Sequence, residues 1–200
     1  RITKNGDDVA VKILHPNLTP SINADLDLMR LSARILEGFS KFKWLNLPGI
    51  VEEFAVLLTN QMDLQKEAAN LERFRENFRH SRDVQFPRVI PQFAPHQNVL
   101  VETYLDGIPI LEFCRLHQDN PQLLTKLCQS AIRCVCKMIF LDNFVHGDLH
   151  PGNVFVKADG SKFVLMDFGI VNSIPITIIK PLSISWPPLF DGKAIRPVDS

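Results

Sequence analysis

Asp148, Asn153 and Asp167 are the residues of this chain best suited to chemistry. The run Phe144-Val145-His146-Gly147-Asp148-Leu149-His150-Pro151-Gly152-Asn153 sets an aspartate five residues ahead of an asparagine, and Asp167-Phe168-Gly169 follows downstream. Such a set fits phosphoryl transfer, which needs positioning and charge neutralisation more than covalent help. Phosphate chains carry divalent cations, and hard cations take oxygen ligands. The Asp167 carboxylate and the Asn153 amide oxygen are therefore the expected Mg²⁺ ligands. Asp148 is the expected catalytic group, orienting an attacking hydroxyl or water.

These side chains need a scaffold that brings distant positions together. Val154-Phe155-Val156 and Phe163-Val164-Leu165-Met166 flank Ala158-Asp159-Gly160, and Asp-Gly is a favoured tight-turn pair. The β-branched and aromatic residues on both sides favour strand. A hairpin here makes the loop before one strand and the loop after the other emerge at one end, so Asn153 and Asp167 become neighbours. Gly169 is expected to supply the sharp backbone turn after the ligand.

Upstream, Val9-Ala10-Val11-Lys12-Ile13 follows Asn5-Gly6, a strong hairpin signal. The strand would project Lys12. Leu64, Ala68, Leu71, Phe74 and Phe78 recur at three- and four-residue spacing and predict a helix with one apolar face. Glu67 lies beside that face and is the candidate partner for Lys12, with Glu72 and Glu76 as rivals. A second amphipathic helix is predicted from Pro20 to Phe42, carrying Leu26, Met29, Leu31, Ile35, Leu36 and Phe39. Asn98 to Gly107 reads as a strand running into a turn. Gln122 to Leu141 reads as a long helix with Leu124, Leu127, Cys128, Ala131, Val135 and Met138 as its core stripe, and Pro121 suits its first turn.

A lysine strand, a glutamate helix, an Asp…Asn loop and a hairpin ending in Asp-Phe-Gly follow the order seen in protein kinases. The fold class expected is α+β, a protein-kinase-like two-lobed fold. More specific are Val9-Ala10-Val11-Lys12-Ile13-Leu14-His15-Pro16, Gln61-Met62-Asp63-Leu64-Gln65-Lys66-Glu67-Ala68-Ala69-Asn70 and the His150-Pro151-Gly152-Asn153 ending. Over about residues 8 to 171 the chain resembles the UbiB family, the aarF-domain-containing atypical kinases linked to coenzyme Q (ubiquinone) biosynthesis. The resemblance implies a Lys12–Glu67 ion pair, Asp148 as the catalytic-loop aspartate, and Asn153 and Asp167 as metal ligands. It further implies that backbone groups near Glu102 and Tyr104 face adenine. ATP or ADP with Mg²⁺ would be the cofactor, and the activity ATPase-like. A lipid or coenzyme Q precursor would be a possible partner. The compartment would be mitochondrial, with inner-membrane association through segments outside those seen here.

The chain also departs from that family. Gln61-Met62-Asp63 stands where many members carry Glu-x-Asp. The Lys-x-Gly-Gln helix and alanine-rich nucleotide loop that the family places ahead of the lysine strand are expected to be missing. The organisation expected is a partial N-lobe with a helical insert (1–104), a partial C-lobe with the catalytic and metal-binding loops (105–172), and a divergent tail (173–200). On this reading the N-lobe is incomplete, the C-lobe truncated, and activity weak or lost. The rival reading is a catalytically inactive pseudokinase-type binding module.

Composition narrows the remaining classes. Lys+Arg and Asp+Glu both number 22, so there is no basic surplus for a nucleic-acid partner. The apolar content of 46% suits a globular core and argues against a disordered chain. No apolar run reaches bilayer-spanning length. Cys114, Cys128, Cys134 and Cys136 have no zinc spacing and read as core thiols. A metal-dependent phosphoesterase using His146, Asp148 and His150 is a further alternative, although the remaining histidines form no cluster to complete it.

Overall fold

The computed structural model describes residues 2–4 and 7–175. The Asn5-Gly6 turn and nearly all of the 173–200 tail therefore lie outside the described residues. The chain runs β1 (Ile2–Lys4), β2 (Asp7–Ile13), α1 (Leu18–Glu37), α2 (Leu47–Gln61), α3 (Leu64–Asn77), β3 (Val84–Gln85), β4 (Val99–Thr103), β5 (Ile108–Pro109), α4 (Ile110–Leu116), α5 (Pro121–Cys136), β6 (Val145–His146), β7 (Val154–Val156), β8 (Phe163–Leu165) and β9 (Val171–Asn172). It divides into two units, one of residues 1–70 and 88–104, the other of residues 71–87 and 105–200.

The first unit holds an antiparallel sheet in the order β1-β2-β4. Lys4 pairs with Asp7, Lys12 with Leu100 and Ala10 with Glu102. Leu14 N–H donates to Asn98 C=O at 3.0 Å and extends the β2–β4 ladder beyond Ile13. α1 stops at Gly38, short of the predicted Phe42, and a 3₁₀ turn at Lys43–Leu45 follows. Its buried residues are Leu26 and Ala33, while Met29, Leu31, Ile35, Leu36 and Phe39 of the predicted apolar face are exposed. α1 meets α2 through the Arg30 guanidinium, which holds both Glu52 oxygens at 2.8 and 3.0 Å. α2 was not foreseen from the sequence. Pro48 sits in the first turn, where its missing N–H has no helical partner to lose.

The second unit holds a four-stranded sheet in the order β3-β8-β7-β5, with β3 parallel to β8 and the other pairs antiparallel. The β7–β8 hairpin is the one read from the sequence. Gly160 turns it at φ +70°, a left-handed conformation that favours glycine, and a Cβ there would lie 2.8 Å from the Leu123 side chain. α5 begins at Asn120, whose side-chain oxygen accepts from Leu123 N–H, with Pro121 in the first turn as expected. A π-helical turn, Lys137–Leu141, continues it.

The core stripe of α5 is rotated from the predicted one. Leu127, Ser130, Cys134 and Met138 are buried, whereas Cys128 and Val135 are exposed. A polar contact sets this rotation. Ser130 Oγ donates to Asp83 Oδ1, and the Arg133 guanidinium grips both Asp83 oxygens at 2.9 and 3.0 Å. A search for apolar periodicity passes over such a serine.

Aromatic side chains form the centre of this unit. Phe74 lies 4.7 Å from Phe144, 5.3 Å from Phe168 and 5.9 Å from Phe86 between ring centroids. The predicted α3 stripe is buried throughout, from Leu64 to Phe78. Burial of each such large apolar side chain stabilises the fold by roughly 1.5–3 kcal/mol. The consequence for function is that Phe168, next to Asp167, is anchored in a packed core.

Candidate functional site

In the first unit β2 and α3 bring Lys12 and Glu67 together. Lys12 Nζ donates to both Glu67 carboxylate oxygens, at 2.8 and 2.7 Å. Asp63 fixes the start of α3, its Oδ1 accepting from the N–H groups of Gln65 and Lys66 at 3.1 and 3.3 Å. That cap explains why Asp63 stands there, and it places Glu67 in the first turn. Glu67 is buried at 4% exposure, and the Lys12 side chain is 39% exposed. A buried carboxylate therefore holds a lysine whose side chain is partly exposed.

The segment expected to face adenine is paired into the first unit's sheet. Tyr104 N–H donates to Asp8 C=O at 3.0 Å, and Glu102 is paired with Ala10 in the same ladder. Glu102 also bridges Val89 on its other side. The Tyr104 N–H is thus taken within the first unit.

In the second unit two loops are tied side by side. β6 pairs with β9, setting His146 opposite Val171, and Gly147 N–H donates to Ile170 C=O at 2.9 Å. A Cβ at Gly147 would fall 2.5 Å from Ile170 Cγ2, so only glycine allows this approach. From the other side Met166 N–H donates to Asn153 C=O at 3.0 Å. The loop bearing Asp148 and Asn153 is thereby stitched to the segment bearing Asp167 at both of its ends.

His146 links the same two loops through its ring. Asp148 N–H donates to Nδ1 at 3.1 Å, so Nδ1 is the acceptor and Nε2 carries the proton, donated to Met166 C=O at 3.1 Å. The imidazole is buried and packs on Phe168 at 5.3 Å. Burial pushes its pKa below the ordinary value, and the hydrogen bond to Met166 C=O and the nearby Asp167 and Asp148 carboxylates only partly oppose this. The neutral form is the one both hydrogen bonds require. The sequence offered His146 only as a metal ligand for the phosphoesterase alternative. With both ring nitrogens engaged by backbone, His146 cannot serve that role.

Local hydrogen bonds orient the polar groups. Asn153 Nδ2 donates to Asp148 C=O at 3.1 Å and faces Asp148 Oδ2 at 3.4 Å. This turns the amide so that its oxygen is not the atom bound to Asp148. Asp167 adopts φ +57°, in the left-handed region, and its Oδ1 accepts from Gly169 N–H at 3.2 Å. The strained residue is therefore the aspartate itself and not Gly169, where the sequence reading had placed the turn. Strain held at a non-glycine residue by its surroundings is characteristic of functional positions. His150 Nδ1 accepts from Gly152 N–H, and its Nε2 lies 3.7 Å from Asp148 Oδ2. Among the described residues no group of three His, Cys, Asp or Glu side chains has metal-binding geometry.

The lysine–glutamate pair and the stitched loops define a kinase-like fold. A solved structure of Rv3197 from Mycobacterium tuberculosis, in complex with erythromycin, is similar to it, with a TM-score of 0.66 and 29% identity over 87% of this chain and 42% of that one. The sequence profile of the ABC1 atypical kinase-like domain matches residues 2–194, and the chain belongs to this family. That match extends past residue 171, where the sequence reading had ended the resemblance.

Among curated relatives, a mitochondrial ABC1 family protein of Schizosaccharomyces pombe is 40% identical over 75% of this chain and 21% of its own length. A mitochondrial ABC1 family protein of Saccharomyces cerevisiae is 38% identical over 74% of this chain and 23% of its own length. A protein of Vibrio cholerae named as a probable protein kinase UbiB is 31% identical over 87% of this chain and 32% of its own length. The chain thus spans about a fifth to a third of the length of these relatives.

Proposed function

We propose that this chain is the nucleotide-handling part of a mitochondrial ABC1-family atypical kinase, binding ATP or ADP with Mg²⁺ and acting in coenzyme Q metabolism. The observation that carries this reading is the double stitching of the Asp148–Asn153 loop to the Asp167 segment, with His146 bonded to both. The donor set fits a hard cation: one carboxylate at Asp167 and one amide oxygen at Asn153, the latter turned by its donation to Asp148. Bound Mg²⁺ would neutralise the charge of phosphate oxygens.

Asp148 orients the attacking hydroxyl or water and receives its proton. Lys12 supplies a cation for the phosphates, and Glu67 restrains its flexible chain. The names of the relatives support the mitochondrial compartment, and membership of the family supports a lipid or coenzyme Q precursor as the acceptor.

Thermal-shift titration with Mg-ATP and Mg-ADP, against EDTA, tests the reading. Ligand that binds the folded state raises apparent stability with log concentration above Kd. The midpoint should rise only with metal present, and Asp167→Asn should abolish the rise. Asp148→Asn should keep binding and lose turnover. Binding without turnover in the unaltered chain would instead favour the pseudokinase-type module. No metal-dependent shift at any nucleotide concentration would overturn the proposal.

A further inference from the structure

Asn143 stands just ahead of β6 and departs from strand geometry, with φ +43° in the left-handed region. Its side chain nevertheless behaves as strand backbone. Oδ1 accepts from Ile174 N–H at 2.8 Å, and Nδ2 donates to Ile174 C=O at 3.0 Å. The β6–β9 register sets Val145 opposite Asn172 and His146 opposite Val171, so Asn143 falls opposite Ile174 and Gly147 opposite Ile170. Gly147 N–H donates to Ile170 C=O at 2.9 Å. In an antiparallel ladder every second pair exchanges N–H···O bonds, and Asn143–Ile174 falls in that series. A carboxamide carries the donor and acceptor of a peptide group, so the side chain completes the ladder where the turned backbone cannot. We propose that Asn143 is a positioning residue for Asp167, its amide closing the ladder that holds the segment leaving that aspartate; the role rests on the reading of Asp167 as a cation ligand.

The backbone of Asp167 shows why such a tie matters. A non-glycine residue keeps a left-handed conformation only where its surroundings over-determine it. On the N-terminal side of Asp167, Met166 is held by Asn153 and His146. On the C-terminal side the hold is β9, a strand of two residues. Ladder ends open most readily, and the Asn143 amide ties this end. The residues beside Asn143 are themselves fixed. Asp142 N–H donates to Lys137 C=O at 3.0 Å and Phe144 N–H to Met138 C=O at 2.9 Å, and the Phe144 ring is buried. Asparagine suits the position because it tolerates left-handed backbone and carries its amide on a short side chain.

The test is Asn143→Gly in the full chain, which keeps the left-handed backbone and removes both bonds. Urea unfolding checks that the variant folds. Amides from Gly169 to Ile174 should exchange hydrogen about tenfold faster, read by NMR, while those of α3 and the β7–β8 hairpin stay unchanged. Mn²⁺–ATP, followed through the paramagnetic resonance of free Mn²⁺, should bind about tenfold more weakly, the equivalent of one lost hydrogen bond. Asn143→Asp, which retains the shape and loses the donor, is the second variant and should weaken Mn²⁺–ATP binding in the same direction. Faster exchange at Ile174 alone, with Mn²⁺–ATP affinity unchanged, would mean a merely structural tie and would overturn the proposal. Unchanged exchange throughout the segment would overturn it too. A wild type that binds no Mn²⁺–ATP would instead refute the nucleotide reading. Exchange at Gly169, whose N–H bonds to Asp167 Oδ1, would then decide alone whether Asn143 positions Asp167.

Discussion

Replacing His146 with phenylalanine isolates the hydrogen bonds that join the two loops from the packing around them. A phenyl ring keeps the contacts with Phe74 and Phe168, whose centroids lie 6.0 and 5.3 Å from the imidazole. It removes the acceptor for Asp148 N–H and the donor to Met166 C=O. Each stranded buried backbone group costs about 1–3 kcal/mol. Asp148 and Met166 are only partly buried, so water recovers some of that loss. The expected destabilisation is about 2–3 kcal/mol, read as the shift of the urea midpoint at constant m-value. His146→Ala should cost more, because it also removes the ring. If His146→Phe unfolds within about 0.5 kcal/mol of the wild type, the spread of ordinary surface changes, the linking role assigned to His146 is wrong.

Other expectations follow from single contacts. Lys12→Ala leaves the Glu67 carboxylate buried without its cation and should cost about 1–3 kcal/mol in urea, below the figure for fully buried pairs because Lys12 is partly exposed; Glu67→Gln should cost less. The Arg133 guanidinium beside Asp83 holds its carboxyl below the usual range, so the folded state binds that proton less readily than the unfolded chain. The resulting stability is present above about pH 4 and is lost as pH falls below it; Asp83→Asn should flatten that acid limb in pH-dependent urea unfolding. Burial pushes the Cys134 thiol up to about 12, so at pH 8 iodoacetamide should label exposed Cys128 first and Cys134 only on unfolding, as read by mass spectrometry.

The parts legible in the sequence were those fixed by short-range pattern. Leu64, Ala68, Leu71, Phe74 and Phe78 marked the buried face of α3, and Asp159-Gly160 marked the hairpin. Lys12 and Glu67 were paired by the order of elements, and their side chains meet at hydrogen-bond distance. The illegible parts depend on tertiary polar contacts. The rotation of α5 is set by Asp83, distant in sequence from Ser130 and Arg133. The commitment of the Tyr104 N–H to Asp8 depends on strand register. The bonds of His146 to both loops depend on the β6–β9 ladder, whose two-residue strands are too short to announce themselves, and the left-handed backbone at Asp167 has no local sequence signal.

The central claim, that Asn153 and Asp167 hold a cation on a nucleotide, is tested most directly with Mn²⁺ in place of Mg²⁺. Free Mn²⁺ has a strong paramagnetic resonance signal that collapses on binding. With ATP present, the chain should remove one Mn²⁺–nucleotide complex per molecule from the free pool. Asp167→Asn and Asn153→Ala should each lose this binding, while Asp148→Asn should retain it. Equal Mn²⁺–nucleotide binding by the wild type, Asp167→Asn and Asn153→Ala would contradict the account.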